Sequence, residues 1–221
     1  MDFTAVRLNF PTLPEKITNQ ILAEAVGTRN DLYNPCCEGT PVPTTLTYIE
    51  DMPADVEEKI HNEYMDRELS TPDGKVKSLH LPRYPLTGES KEWIGNNIIN
   101  EYIACSVGVT TVSDSSKTLG PHVGLTRAYI LMYLLDKGGE NVQTRFYQKH
   151  GEPKVYGLCR TVPTDYAELD LIDSQKFELG NWYIVNESIL HDIHGIETPR
   201  ISVQISLGKD LPEVIKSQIT V

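Results

Sequence analysis

The chain has 221 residues, enough for one hydrophobic core with an elaboration, and its 39% hydrophobic and 23% charged content is that of an ordinary globular protein. Twenty basic against thirty-one acidic side chains give a net charge of −11, which repels phosphate backbones and argues against a nucleic-acid partner; with no run of Lys and Arg, it also disfavours docking an acidic carrier protein. No apolar run approaches the ~20 residues of a membrane span, and Met1 to Ala5 carries no basic-then-apolar leader, so the expectation is a cytoplasmic protein with no membrane partner.

The first half of the chain is mixed. Leu13 to Val26 has apolar residues at Ile17, Ile21, Leu22 and Ala25, the spacing of a helix, with Gly27 as its stop. Thr28 to Thr47, rich in Asn, Pro, Gly and Thr, reads as loop. Within it Cys36 and Cys37, like Cys105 and Cys159, have neither C-x-x-C nor zinc-finger spacing and read as free thiols of a reducing compartment. Pro53 to Leu69 reads as a second helix, with Pro in its first turn and Asp55, Glu57 and Glu58 at its positive end. Ser70 to Leu86 carries three prolines and the Pro72-Asp73-Gly74 turn, and is a candidate loop or lid bearing His80, Arg83 and Tyr84. Glu89 to Cys105 reads as a third helix with an apolar stripe through Trp93, Ile94, Ile98 and Ile99.

After Ser106 the pattern turns to strands: Val107 to Val112, Ala128 to Leu135, Val142 to Tyr147, Lys154 to Val162, Trp182 to Val185 and Ile201 to Leu207. About eight short strands with turns between them predict a barrel or double-sheet jelly roll, with the preceding helices packed outside one sheet. The expected fold class is mainly β with flanking helices, in one domain over 1–221. Residues 1–105 form the helical and loop elaboration and 106–209 the double-stranded β-helix (jelly roll, cupin-like) core.

Two segments carry the chemistry. The first is Gly120-Pro121-His122-Val123-Gly124. The second runs from His191 through Arg200 to Ser202, as H-x8-R-x-S. In a strand, residues two apart share a face, so Arg200, Ser202 and Gln204 point one way and Ile201, Val203 and Ile205 the other. A buried guanidinium beside a hydroxyl suits a dicarboxylate, which Arg grips as a two-pronged fork. His194 and Asp192 fall off the His191 face of an extended segment.

Together these segments resemble the iron and co-substrate sites of the Fe(II)/2-oxoglutarate-dependent oxygenase superfamily, over roughly residues 118 to 207. The resemblance implies that His122 and His191 bind Fe(II), and that Arg200 and Ser202 hold the distal carboxylate of 2-oxoglutarate, with Tyr133 close to the co-substrate. One departure stands out: where the family has H-x-D, this chain has H-x-G. Gly124 has no side chain to give the metal, so a position is left for water or chloride.

The pattern is similar to that of the radical halogenase subset, which reads H-x-A or H-x-G and binds halide where Asp would sit. The implied chemistry uses O2 to decarboxylate 2-oxoglutarate to succinate and CO2, then delivers chlorine to an unactivated carbon. Carrier-independent halogenases of this pattern act on small free molecules, so an amino acid-like small-molecule substrate is expected, with Arg127 and Tyr129 as substrate-binding candidates. Thr144, Arg145 and Tyr147 are further candidates to line the cavity. Two alternatives share the same residues: a hydroxylase whose Asp ligand is replaced by Gly, and a catalytically silent binding jelly roll.

Overall fold

The computed structural model of the protein describes residues 3–32, 68–71, 74–77, 83–102, 104–110, 118–122, 128–150, 154–156, 159–161 and 166–219. In chain order the elements are β1 (Ala5–Leu8), α1 (Glu15–Leu32), β2 (Glu68–Thr71), β3 (Gly74–Lys77), β4 (Arg83–Pro85), α2 (Gly88–Asn97), β5 (Ala104–Thr110), β6 (Thr118–His122) and β7 (Tyr129–Asp136). They continue with β8 (Gln143–Lys149), β9 (Lys154–Tyr156), β10 (Cys159–Thr161), a 3₁₀ turn at Tyr166–Glu168, β11 (Leu169–Gln175), β12 (Trp182–Asn186), β13 (Leu190–His194), β14 (Arg200–Leu207) and α3 (Glu213–Ile219).

Two antiparallel sheets carry the fold: a six-stranded sheet in the order β1-β12-β7-β14-β5-β4 and a four-stranded sheet in the order β11-β8-β13-β6. From β5 onward the chain alternates between the sheets except at β8 and β11, which pair within one sheet, so that β5, β7, β12 and β14 build one layer and β6, β8, β11 and β13 the other. That winding is the double-stranded β-helix, or jelly roll. The β9–β10 hairpin is inserted between β8 and β11 as its own two-stranded unit.

Strand alternation divides the large sheet into two working faces. On β14, Ile201, Val203, Ile205 and Leu207 join Val107, Val109, Leu131 and Ile184 in a core closed by Ile17 and Ile21 of α1, Ile94 of α2 and Ile215 of α3. Each such side chain contributes ~1.5–3 kcal/mol on full burial, so this outer layer is what fixes β14 in place. The opposite face looks into the space between the sheets, where Ile130, Met132, Leu134, Tyr183 and Val185 pack with Phe146 of β8 and with Phe177.

The mainly β class with flanking helices is as expected, and several boundaries differ. α1 runs on through Gly27 to Leu32, since one glycine costs a helix only about 1 kcal/mol. α2 ends at Asn97: the backbone N–H groups of Ile98 and Ile99 both donate to the Ile94 carbonyl, and the chain turns out to begin β5 at Ala104. The apolar stripe of the expected third helix is real, because Ile94, Ile98 and Ile99 are all core, but its last members are carried past the helix.

The residues before 106 also contribute strands. β1 extends the large sheet beside β12, and β4 closes its other edge with Arg83 opposite Gly108. The stretch expected as loop or lid therefore contains the β2–β3 hairpin and an integral edge strand; β2 lies against β6. The expected loop over 33–47 and the expected helix over 53–67 lie outside the described residues, as does His80; residues 68 and 69 belong to β2. Among the described residues no helix is long and apolar enough to cross a membrane.

Candidate metal and dicarboxylate site

Histidines 122 and 191 are brought together by strand register. In the β13–β6 pair, position 191 stands directly opposite position 122, so two residues sixty-nine apart in sequence become cross-strand neighbours. Directly opposed antiparallel residues have Cβ atoms ~4.5–5.5 Å apart. A register irregularity lies just beyond, between His191 and Ile193.

The His191 ring is buried and lies against Phe146, centroids 5.9 Å apart, on the inner face of the small sheet. Its Nδ1 is 2.8 Å from the carbonyl oxygen of Ile189. A carbonyl only accepts, so Nδ1 carries the proton and donates, and Nε2 keeps its lone pair in the neutral ring. That is the arrangement of a metal-binding imidazole whose second nitrogen is fixed by backbone.

Arg200 begins β14 and projects from the inner face of the large sheet toward the small one. It is only 4% exposed. Its Nη1 donates to Thr144 Oγ1 at 3.4 Å and its Nη2 reaches Met132 Sδ at 3.8 Å, while the guanidinium carbon lies 5.8 Å from the Phe177 ring centroid. None of these partners is a carboxylate. Burial alone pulls Arg200 down from 12.5 to about 10. A small cleft lies beside it, lined by Leu134, Val142, Thr144, Gln175 and Phe177. Lys137 also lines that cleft, and its charge is already matched by Glu178 at 2.7 Å. A buried cation whose only partners are weak and neutral is a site that favours an anion.

The rest of β14 continues the polar surface. Ser202 is buried, and its Oγ accepts a hydrogen bond from Gln204 Nε2 at 2.9 Å. Ser106 and Thr110 of β5 are buried and alternate with the outer-core residues Val107 and Val109. The space between the sheets thus has an apolar half under β7 and β12 and a polar half under β14 and β5.

The other expected site residues are distributed as follows. Tyr133 does not meet Arg200: it packs on Trp182, centroids 4.9 Å apart, in the helix-covered core on the opposite face of the large sheet. Odd-numbered β7 residues face that core, and the phenol is held by the Leu13 backbone. Tyr129 shares the same outer face and stacks on Phe3 at 5.8 Å, away from the space between the sheets. The co-substrate role for Tyr133 and the substrate role for Tyr129 are corrected by this parity. Gly124 and Arg127 lie outside the described residues.

Of the three β8 candidates, Thr144 faces the interior and accepts from Arg200, whereas Arg145 and Tyr147 point to the other face. There they meet Asp192, which is fully buried. Arg145 donates to it through Nε at 3.0 Å and Nη2 at 2.6 Å, Tyr147 at 3.0 Å and Tyr166 at 2.8 Å. Burial, and then the negative charge of Asp192, push both phenols well above their ordinary range. Despite burial, Arg145 is raised by its hydrogen bonds to Asp192. This cluster clamps β8, β13 and the 3₁₀ turn behind His191. Tyr166 had no signal in sequence, since it belongs to no periodic segment. Among the described residues no three His, Cys, Asp or Glu side chains converge as a metal group. Cys105 is a buried free thiol pushed up to about 12 by burial.

No family model matches the chain, and no curated protein matches it. Among solved structures, the ligand-free L-ribose isomerase of Cellulomonas parahominis is similar over 93% of this chain and 88% of its own, at 12% identity and a TM-score of 0.34. The L-ribose isomerase of Geodermatophilus obscurus covers 95% and 90%, at 14% identity and a TM-score of 0.33. The Cellulomonas parahominis enzyme with L-psicose covers 93% and 90%, at 13% identity and a TM-score of 0.34. Likeness at this level transfers no activity to the present chain.

Proposed function

We propose that the protein is an Fe(II)- and 2-oxoglutarate-dependent enzyme that functionalises a C–H bond of a small free metabolite, by halogenation. The observation that carries the reading is the register that sets position 122 opposite His191, at the inner face toward which Arg200 projects from the other sheet. The residues fit such a set. The Nδ1–H of His191 is directed at the Ile189 carbonyl, so Nε2 would be the nitrogen offered to a metal. Arg200 is a buried cation with only weak neutral partners, and Ser202 stands two residues away on the same face.

Bound there, Fe(II) with 2-oxoglutarate and O2 supplies an oxidant able to take hydrogen from an unactivated carbon. The chain's own residues do the positioning. His191, with His122, holds the metal; Arg200 and Ser202 orient the dicarboxylate; and the apolar half, Met132, Leu134 and Phe146, keeps water away from the reacting carbon. Gly124, which lies outside the described residues, has no side chain to offer the metal, and chloride would be taken in place of the family's carboxylate. The balance is R–H, 2-oxoglutarate, O2, Cl− and H+ going to R–Cl, succinate, CO2 and H2O: the keto acid loses CO2 and is oxidised, O2 is reduced, and carbon exchanges hydrogen for chlorine. The expected substrate is amino acid-like.

The test is anaerobic addition of Fe(II) and 2-oxoglutarate, which should raise a weak visible charge-transfer band that chloride perturbs. Mass spectrometry of a metabolite mixture incubated aerobically with chloride or bromide should then reveal a halogen isotope pattern and so the substrate. A folded protein that raises no band and binds no 2-oxoglutarate refutes the reading. A chloride-indifferent band with hydroxylated product reassigns the protein to the hydroxylases. Gly124→Asp should move product from halogenated to hydroxylated or abolish turnover.

A further inference from the structure

Gln204 is the third polar residue on the inner face of β14, and its amide is arranged in an unusual way. Nε2 donates to Ser202 Oγ at 2.9 Å, whereas Oε1 is buried with no hydrogen-bond partner. A buried orphan acceptor destabilises a fold, and an apolar side chain of the same size would avoid it. The amide is accommodated by one local feature. Gly108 of β5 is the register partner of Ser202, and a Cβ there would stand 2.5 Å from Gln204 Nε2 and 2.8 Å from its Cδ. The amide therefore occupies the space a side chain at 108 would need.

The polarity of this contact has a consequence for Ser202. A serine hydroxyl has two lone pairs and one proton. With the Gln204 N–H on a lone pair, the proton remains to be donated elsewhere, and a carboxylate is an acceptor-only group that suits it. Gln204 is poorly placed to bind the carboxylate itself, because one Nε2 hydrogen is spent on Ser202 and the lone pairs of the buried, unpartnered Oε1 beside it repel an anion. Its effect is to turn Ser202 into a donor and to make the Arg200 side of Ser202 the anion's side.

We infer that Gln204 is a positioning residue of the dicarboxylate clamp, acting through Ser202, and that Gly108 is the clearance that lets its amide do so. The inference rests on the proposed 2-oxoglutarate site. It names residues outside the R-x-S pair: one that touches no part of the co-substrate, and one with no side chain at all.

The experiment measures 2-oxoglutarate binding by titration calorimetry to the full chain loaded with Mn(II), a redox-silent metal, in five variants. Arg200→Met should abolish binding. Ser202→Ala should weaken it about tenfold, the worth of one hydrogen bond to a charged group. Gln204→Met should weaken it about as much, and the double Ser202→Ala, Gln204→Met variant should bind no worse than Ser202→Ala alone, because one effect runs through the other. Gly108→Ala should reproduce Gln204→Met; if it does not fold, the Gln204→Met arm decides.

Gln204→Met binding like the parent overturns the inference, and so does a double variant whose losses multiply. Those outcomes leave the site reading intact provided that Arg200→Met loses binding. If the parent does not bind 2-oxoglutarate, or Arg200→Met binds it equally well, the site reading falls and takes this inference with it.

Discussion

Arg200 gives the sharpest test, because its stability effect has the opposite sign to that of an ordinary buried residue. Burial holds it at about 10 rather than 12.5. At about 1.4 kcal/mol per pH unit, that gap sets about 3 kcal/mol against the charged form in the folded protein. The sign follows from linkage: folding lowers the cation's affinity for its proton, so the cost is present in full below pH 10 and is relieved only as pH rises from there toward 12.5. Against it stand two long contacts, at 3.4 Å and 3.8 Å, and the Phe177 ring at 5.8 Å, together about 1 kcal/mol. Arg200→Met keeps the length and removes the charge, so it should stabilise the ligand-free protein by about 2 kcal/mol, or raise its urea midpoint by about 1 M. The parent, with Mn(II) and 2-oxoglutarate at about 100 times Kd, should gain about 2.7 kcal/mol from ligand, and the variant nothing. A ligand-free variant less stable than its parent would refute the reasoning, because the guanidinium would then be a satisfied structural group rather than a charge held for an anion.

Three further outcomes follow from the geometry. Asp192→Asn removes the charge that satisfies Arg145 and two phenols, and should cost about 3–5 kcal/mol in urea unfolding; adding Arg145→Met should recover part of that loss. Because Tyr147 and Tyr166 are raised on folding, the folded state keeps protons that the unfolded chain releases near pH 10. The contribution of these two phenols should therefore be flat below about pH 9 and fall above about pH 10, two protons outweighing the single one relieved at Arg200, with both phenols appearing in the tyrosinate absorbance only as the protein unfolds. Gly138 has φ +81°, and a Cβ there would lie 2.8 Å from Arg200 Cβ and 2.9 Å from the Thr198 carbonyl oxygen. Gly138→Ala should cost at least about 2 kcal/mol by thermal melting, from left-handed backbone plus displacement of the β14 start, and should weaken 2-oxoglutarate binding with it.

What the sequence made legible was whatever strand parity controls. The alternation in Arg200-Ile201-Ser202-Val203-Gln204 placed three polar residues inward and two apolar ones against the helices, and it put His194 and Asp192 off the His191 face. Parity failed where it was not applied consistently. Tyr133 was expected near the co-substrate, yet it is the register partner of Val203, an outer-core residue, and so must share that outer face. Tyr129 fails for the same reason. Other features depended on contacts that no local pattern encodes: the registry of β6 on β13, the arrival of Tyr166 at Asp192 from a non-periodic turn, and the pairing of Gly108 with Ser202. The helix boundary at Asn97 was misplaced because the apolar spacing continues through Ile98 and Ile99 after the helical hydrogen bonding has ended.

With glycine at 124, another carboxylate would have to serve the metal, and among the described residues the neighbour of His191 that carries one is Asp192. It cannot serve. It projects from the opposite face of β13, its register partner is Arg145, and its two oxygens already accept four hydrogen bonds. Turning it inward would leave a guanidinium and two phenols unsatisfied and would carry His191 outward with the same rotation of the strand. The cluster that secures His191 from behind is thus what removes Asp192 from the metal's reach. If iron binds at positions 122 and 191, a further ligand in place of the family's carboxylate would be water, an added anion or a residue beyond those described. This is why the response to chloride separates the proposed halogenase from a hydroxylase that has lost a ligand.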